Sequence, residues 1–191
     1  FKLEKRVLDR RIEQMQAEGV IFKPNSHVGR NISAIDLHKE YDALVLTGGA
    51  TLRRDLPIPG RDLKGVHQAM EYLPLQNRRC EGDTVPDDKF ISARGKNVVI
   101  IGGGDTGADC LGTAHRQGAW SVTSLEIMPR PPEKRSSNNP WPEWPYIFRT
   151  ASAHQEGGKR LYAVSTNQFI GDDHGNLKEL DVVKVEMQRE A

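Results

Sequence analysis

Gly102, Gly104 and Gly107 in the stretch GGGDTGADC (102–110) have the spacing G-x-G-x-x-G, with Gly103 making three glycines in a row. In a loop of this kind the first glycine permits a tight turn. The second removes the Cβ that would block a pyrophosphate, and the third lets helix and strand approach closely. Asp105 and Thr106 then open a helix whose free backbone N–H groups face an anion along the helix dipole. A glycine-rich turn with no ligand carries the same letters, so context decides between them. Glu126 stands 24 positions after Gly102, where an acid accepts a hydrogen bond from the adenine-ribose 2′-hydroxyl, which points to NADH. A 2′-phosphate about 4 Å from this carboxylate is repelled by roughly 4 kcal/mol at an effective dielectric of 20. Arg130, four residues on, softens that preference if its loop folds back, which keeps NADPH as the second candidate.

These residues need a frame. Asn97–Ile101 is predicted as a strand, Asp105–Gln117 as a helix with Leu111 and Ala114 inward and Gly118 as its stop, and Trp120–Ile127 as the next strand. Together they make one β-α-β unit of about 30 residues, the context the glycine pattern requires. Cys110, on the inner side of the helix, reads as a small core residue. Residues 129–145, PRPPEKRSSNNPWPEWP, hold six prolines and read as a loop long for a connector. Arg160–Ile170 and Leu177–Met187 are predicted as two alternating strands, joined as a hairpin by GDDHGN.

Upstream, Leu3, Val7, Leu8, Ile12 and Met15 share a helical face ending at Gly19. Val20–Phe22 is a short strand candidate, and Ser33 caps a short helix. Asp42–Thr47 (DALVLT) reads as a buried parallel strand stopped by Gly48-Gly49. Pro57, Pro59, Gly60 and Gly65 crowd out regular structure and mark a domain boundary near residue 60. Val66–Arg79 is predicted helical, and 80–96 a loop.

Lys+Arg 27 against Asp+Glu 26 leaves no global field to draw the chain to nucleic acid or an anionic membrane, so any anion site is local. Apolar stretches of a few residues fall far short of the roughly 20 that span a bilayer. Cys80 and Cys110 lie 30 positions apart without partner ligands, so neither a disulfide framework nor a metal site is expected, and a reducing cytoplasm fits. The six histidines form no dyad with Ser or Cys, and no catalytic residue is assigned. Phe1 at the start, with an uncapped helix behind it, suggests a piece of a longer chain.

With these residues in hand the chain resembles the small (β) subunit of glutamate synthase and related pyridine-nucleotide:flavin oxidoreductases. The resemblance rests on DALVLTGGATLRRDLPIPGRDLKGVHQAMEYL (42–73), GGGDTGADC (102–110) and PRPPEKRSSNNPWPEWPYIFR (129–149). It implies an α/β fold with a Rossmann-like parallel sheet and a β-hairpin or meander, as an NAD(P)H domain (61–191) inserted into an FAD domain of which 1–60 is a remnant. It also implies that Gly48, Gly49 and Ala50 lie near FAD where the chain crosses between domains. FAD and [4Fe–4S] clusters are expected only in the full-length protein: no second G-x-G-x-x-G precedes residue 42, and two cysteines cannot supply the four thiolates of a cluster. The implied activity is hydride delivery from the nicotinamide to FAD, for glutamate formation from glutamine and 2-oxoglutarate with the large (α) subunit as partner. Relatives that use NADPH tend to carry an Arg pair where this chain has Glu126-Ile127, which favours NADH. The tryptophan loop then either covers the nicotinamide, packs on the flavin domain, or straps a surface groove. A sister ferredoxin:NAD(P)H oxidoreductase and a non-catalytic NAD(H)-binding regulatory module are the alternatives.

Overall fold

The computed structural model describes residues 3–49 and 52–186. The chain divides into two compact units, with the division between Arg53 and Arg54.

In the first unit, helix α1 (Lys5–Ala17) carries the expected amphipathic pattern, and Ser33 caps helix α2 (Ala34–Glu40) by accepting the Asp36 N–H at 3.3 Å. Two expectations fail here. Val20–Phe22 forms no strand, and Asp42–Thr47 forms none either, with Val45 84% and Leu46 93% exposed. The apolar run has the composition of a buried parallel strand, but such a strand exists only between paired neighbours with both faces covered. The described residues of this unit offer only an isolated Val28–Ile32 bridge.

In the second unit, helix α3 (Ala69–Cys80) starts three residues later than predicted. Glu71 Oε2 accepts the Gln68 N–H at 3.4 Å, which fixes that start. Cys80 closes α3, and the rest of the expected loop, 81–96, is a loop with a single 3₁₀ turn at Asp87–Lys89. Strand β1 (Asn97–Ile101), helix α4 (Asp105–Arg116) and strand β2 (Ser121–Glu126) form the β-α-β unit as read. A third parallel strand, β3 (Lys159–Tyr162), joins in the order β1-β2-β3. The core lies where α4 and α3 cover one face of this sheet, around Leu111 at 0% exposure with Tyr72, Ile100, Ala114 and Val122.

The predicted strand Arg160–Ile170 is instead two strands in two sheets. β3 ends at Tyr162, and β4 (Val164–Gly171) pairs antiparallel with β5 (Leu177–Lys184). Ala163 between them has φ 55°, a left-handed conformation that no strand continues through. Its N–H donates to Met128 O at 3.0 Å, and its carbonyl accepts from Val185 N at 2.9 Å, so one residue ties both sheets. GDDHGN is the hairpin turn, organised by Asp172, whose side chain accepts from His174 N at 2.9 Å and Asn176 N at 2.8 Å. Met187, the expected end of the last strand, lies outside the described residues.

The connection from β2 to β3 carries the proline-rich segment and a short helix, α5 (Ser152–Gln155). Phe148 N–H donates to Pro132 O at 2.7 Å and closes the base of a strap. Inside it Asn139 donates to Glu143 Oε2 (2.9 Å) and Trp144 O (3.2 Å) and accepts the Tyr146 N–H (2.8 Å). The strap is therefore braced by its own polar groups while Trp141 and Trp144 remain 82% and 77% exposed.

Candidate dinucleotide site

Parallel register sets Ile101 beside Leu125 and Glu126 beside Tyr162, so the carboxyl ends of β1, β2 and β3 open together. In an open α/β sheet that edge is where ligands bind. The chain leaves β1 through Gly102, whose φ of 115° suits glycine and whose N–H donates to Leu125 O at 2.8 Å. Gly104 is the N-cap of α4, and no side chain caps that end. The first intrahelical bond is Ala108 N to Gly104 O, so the N–H groups of Asp105, Thr106 and Gly107 precede the helical ladder.

The glycines of the pattern differ in what surrounds them. A Cβ on Gly104 meets nothing within 4 Å, so the space in front of the helix is open there. One on Gly107 would overlap the Gly102 carbonyl oxygen and lie 3.6 Å from Ile100 Cγ2, which is the close helix–strand approach. One on Gly103 would collide with the Glu126 carboxylate. Glu126 itself leaves the end of β2 and turns back: Oε2 accepts the Gly103 N–H at 2.9 Å and Oε1 the Met128 N–H at 3.0 Å. Sequence reasoning placed the acid at the strand end but missed this contact, for which the only signal was Gly103, a glycine that the G-x-G-x-x-G pattern does not require.

Arg130 is ion-paired to Glu133, and its guanidinium lies 4.1 Å from the Phe148 ring centroid. Arg160 stacks on the same ring at 4.8 Å, so the strap's base joins the β3 strand through a cation–π cluster that sequence reading did not find. Cys110 is buried in the core, and burial pushes its thiol up to about 11, with Asp109 adding to the shift. Gly48 and Gly49 belong to the other unit, where a Cβ on either meets nothing within 4 Å among the described residues beyond its chain neighbours; Ala50 lies outside the described residues. Among the described residues no cluster of His, Cys, Asp and Glu suits a metal, and no helix is long and apolar enough to cross a membrane.

A strand, a glycine turn, an uncapped helix and an acid on the next strand together constitute the framework of a dinucleotide-binding unit. The family described as pyridine nucleotide-disulphide oxidoreductase matches residues 5–140. The chain belongs to that family. Its members are oxidoreductases, and the fold is the Rossmann-type α/β unit expected of them. The chain is 56% identical over 190 residues to a Mycobacterium tuberculosis protein named glutamate synthase [NADPH] small chain, a match covering 98% of this chain and 39% of that one. It is 42% identical over 192 residues to the Bacillus subtilis protein of the same name, covering 97% and 39%. Against the Schizosaccharomyces pombe glutamate synthase [NADH] it is 46% identical over 194 residues, covering 97% of this chain and 9% of that one. The chain thus spans well under half of these relatives.

Proposed function

We propose that residues 61–191 form the nicotinamide-nucleotide domain of a flavin-dependent glutamate synthase small subunit, and that 1–60 belong to the FAD domain into which it is inserted. The observation that carries this reading is the uncapped first turn of α4 behind the open Gly104 position, facing the same strand ends as Glu126. The N–H groups of Asp105, Thr106 and Gly107 hold the pyrophosphate, each charge-assisted bond contributing roughly 1.5–3 kcal/mol. Glu126 accepts from the ribose 2′-hydroxyl and repels a 2′-phosphate, so NADH is preferred. Arg130 does not reverse this preference, because Glu133 and Phe148 already engage it.

When bound, the nicotinamide supplies a hydride and the flavin accepts it, so this chain's work is to place one cofactor against the other. Gly48 and Gly49, which carry no side chain, are the residues this reading assigns to the flavin, with Ala50 next to them in sequence. The large-subunit partner in the cytoplasm, and the formation of glutamate from glutamine and 2-oxoglutarate, belong to the whole glutamate synthase of which we read this chain as a part.

Titrating NADH and NADPH against tryptophan fluorescence tests the reading. NADH is expected to bind at least about tenfold more tightly, a modest share of the repulsion a surface carboxylate can exert. Glu126→Ala narrows the gap. Equal or tighter NADPH binding by the unmodified chain overturns the NADH assignment.

A further inference from the structure

Gly103 occupies an x position of the G-x-G-x-x-G pattern, where side chains are ordinarily allowed. Its own backbone does not ask for glycine, since its φ is not positive. A side chain there would displace Glu126: a Cβ at 103 would overlap Oε2 and lie 3.2 Å from Cδ and 3.3 Å from Cβ of the acid, so the carboxylate would have to swing away. That crowding accompanies a hydrogen bond, Gly103 N–H to Oε2 at 2.9 Å, while Oε1 takes the Met128 N–H at 3.0 Å. The carboxylate therefore spans from the middle of the glycine loop to the first residues beyond β2. With Gly102 N–H on Leu125 O, the loop is fastened to β2 at two successive residues, one by backbone and one by Glu126.

We propose that Glu126 is a positioning residue for the phosphate loop as well as a reader of the ribose, and that glycine stands at 103 so that the carboxylate can reach the loop's N–H. The latch holds the segment leading into α4 and thereby aims the free N–H groups of its first turn. It rests on the reading of this site as a dinucleotide cradle, but it makes a separate demand. A ribose reader matters only to ligands with a 2′-hydroxyl; a latch matters to any ligand gripped by the pyrophosphate.

The probe is 2′-deoxy-ADP, which has the diphosphate and lacks the hydroxyl. Its affinity is measured by calorimetry on the full chain and on Glu126→Ala, Gly103→Ala and the double variant. The latch predicts that Glu126→Ala weakens 2′-deoxy-ADP by about tenfold, the loss of one charge-assisted hydrogen bond. Gly103→Ala should cost a similar factor alone and nothing further in the Glu126→Ala background, since the two changes break one contact. Removing a negative charge near a diphosphate otherwise tightens binding, so the sign discriminates. Unchanged or tighter binding in Glu126→Ala, or additive losses in the double variant, overturns the latch. Amide exchange at Gly103 reads it without any nucleotide. Faster exchange in Glu126→Ala supports the latch, and unchanged exchange overturns it even if the unmodified chain binds no nucleotide, a result that would sink the cradle instead.

Discussion

Gly104 and Gly107 share one motif, yet their surroundings assign them opposite tasks. The Cβ position of Gly107 is filled by the Gly102 carbonyl, so Gly107→Ala must push helix α4 off strand β1 and is expected to lower stability by about 1–3 kcal/mol. The Cβ position of Gly104 is empty space, so Gly104→Ala should cost less than about 1 kcal/mol of stability. On the proposed reading it nonetheless weakens nucleotide binding at least as much as Gly107→Ala does, because the added methyl stands where the pyrophosphate approaches. Thermal unfolding and nucleotide titration of the two variants check this dissociation. If both lose stability equally and bind alike, the open position in front of α4 is not where the ligand sits.

At the scale of elements, helix α5 is short, and the turn before it depends on one side chain. The Ala151 N–H donates to His154 Nδ1 at 3.1 Å, a contact only the neutral imidazole accepts. Burial, with the Arg160 charge adding to it, holds the His154 pKa below its ordinary 6.5. A depressed folded pKa means the unfolded chain binds the proton first. Its contribution to stability is therefore present above pH 6.5 and is lost as pH falls through the lower folded value. Melting temperatures measured from pH 7.5 to 5 should fall more steeply for the unmodified chain than for His154→Gln. His67, also lowered by burial, contributes a slope of the same sign to both proteins and cancels in the difference. Parallel curves would show that the cap does not titrate.

For the molecule as a whole, charge is nearly balanced at +1, so the proposed nucleotide binding rests on the local arrangement at the strand ends. Binding there is linked to folding. Nucleotide at about 100 times its dissociation constant adds roughly 2.7 kcal/mol to the stability of whatever unfolds with the site. Scanning calorimetry with NADH should raise the transition that includes the β1-β2-β3 sheet, and NADPH at the same concentration should raise it less. A shift of equal size from both nucleotides would contradict the proposed role of Glu126.

The β-α-β unit was legible in the residues because its signals are local: an apolar run, a glycine turn, an inward helical face and a stop at Gly118 lie within one window of chain. The acid was legible for the same reason, as a count from Gly102. What spacing could not supply was partnership. DALVLT has a strand's composition and no ladder, because pairing is decided by distant chain rather than by the run itself. The alternation from 160 to 170 crosses Ala163 without a break, and only the tertiary contacts of that residue with Met128 and Val185 reveal two sheets. The sequence by itself determined the β-α-β unit with its glycine turn and the place of Glu126 at the end of the second strand. The tertiary structure alone decided that this acid folds back onto Gly103, because a hydrogen bond between neighbouring strand ends depends on register, which composition does not encode.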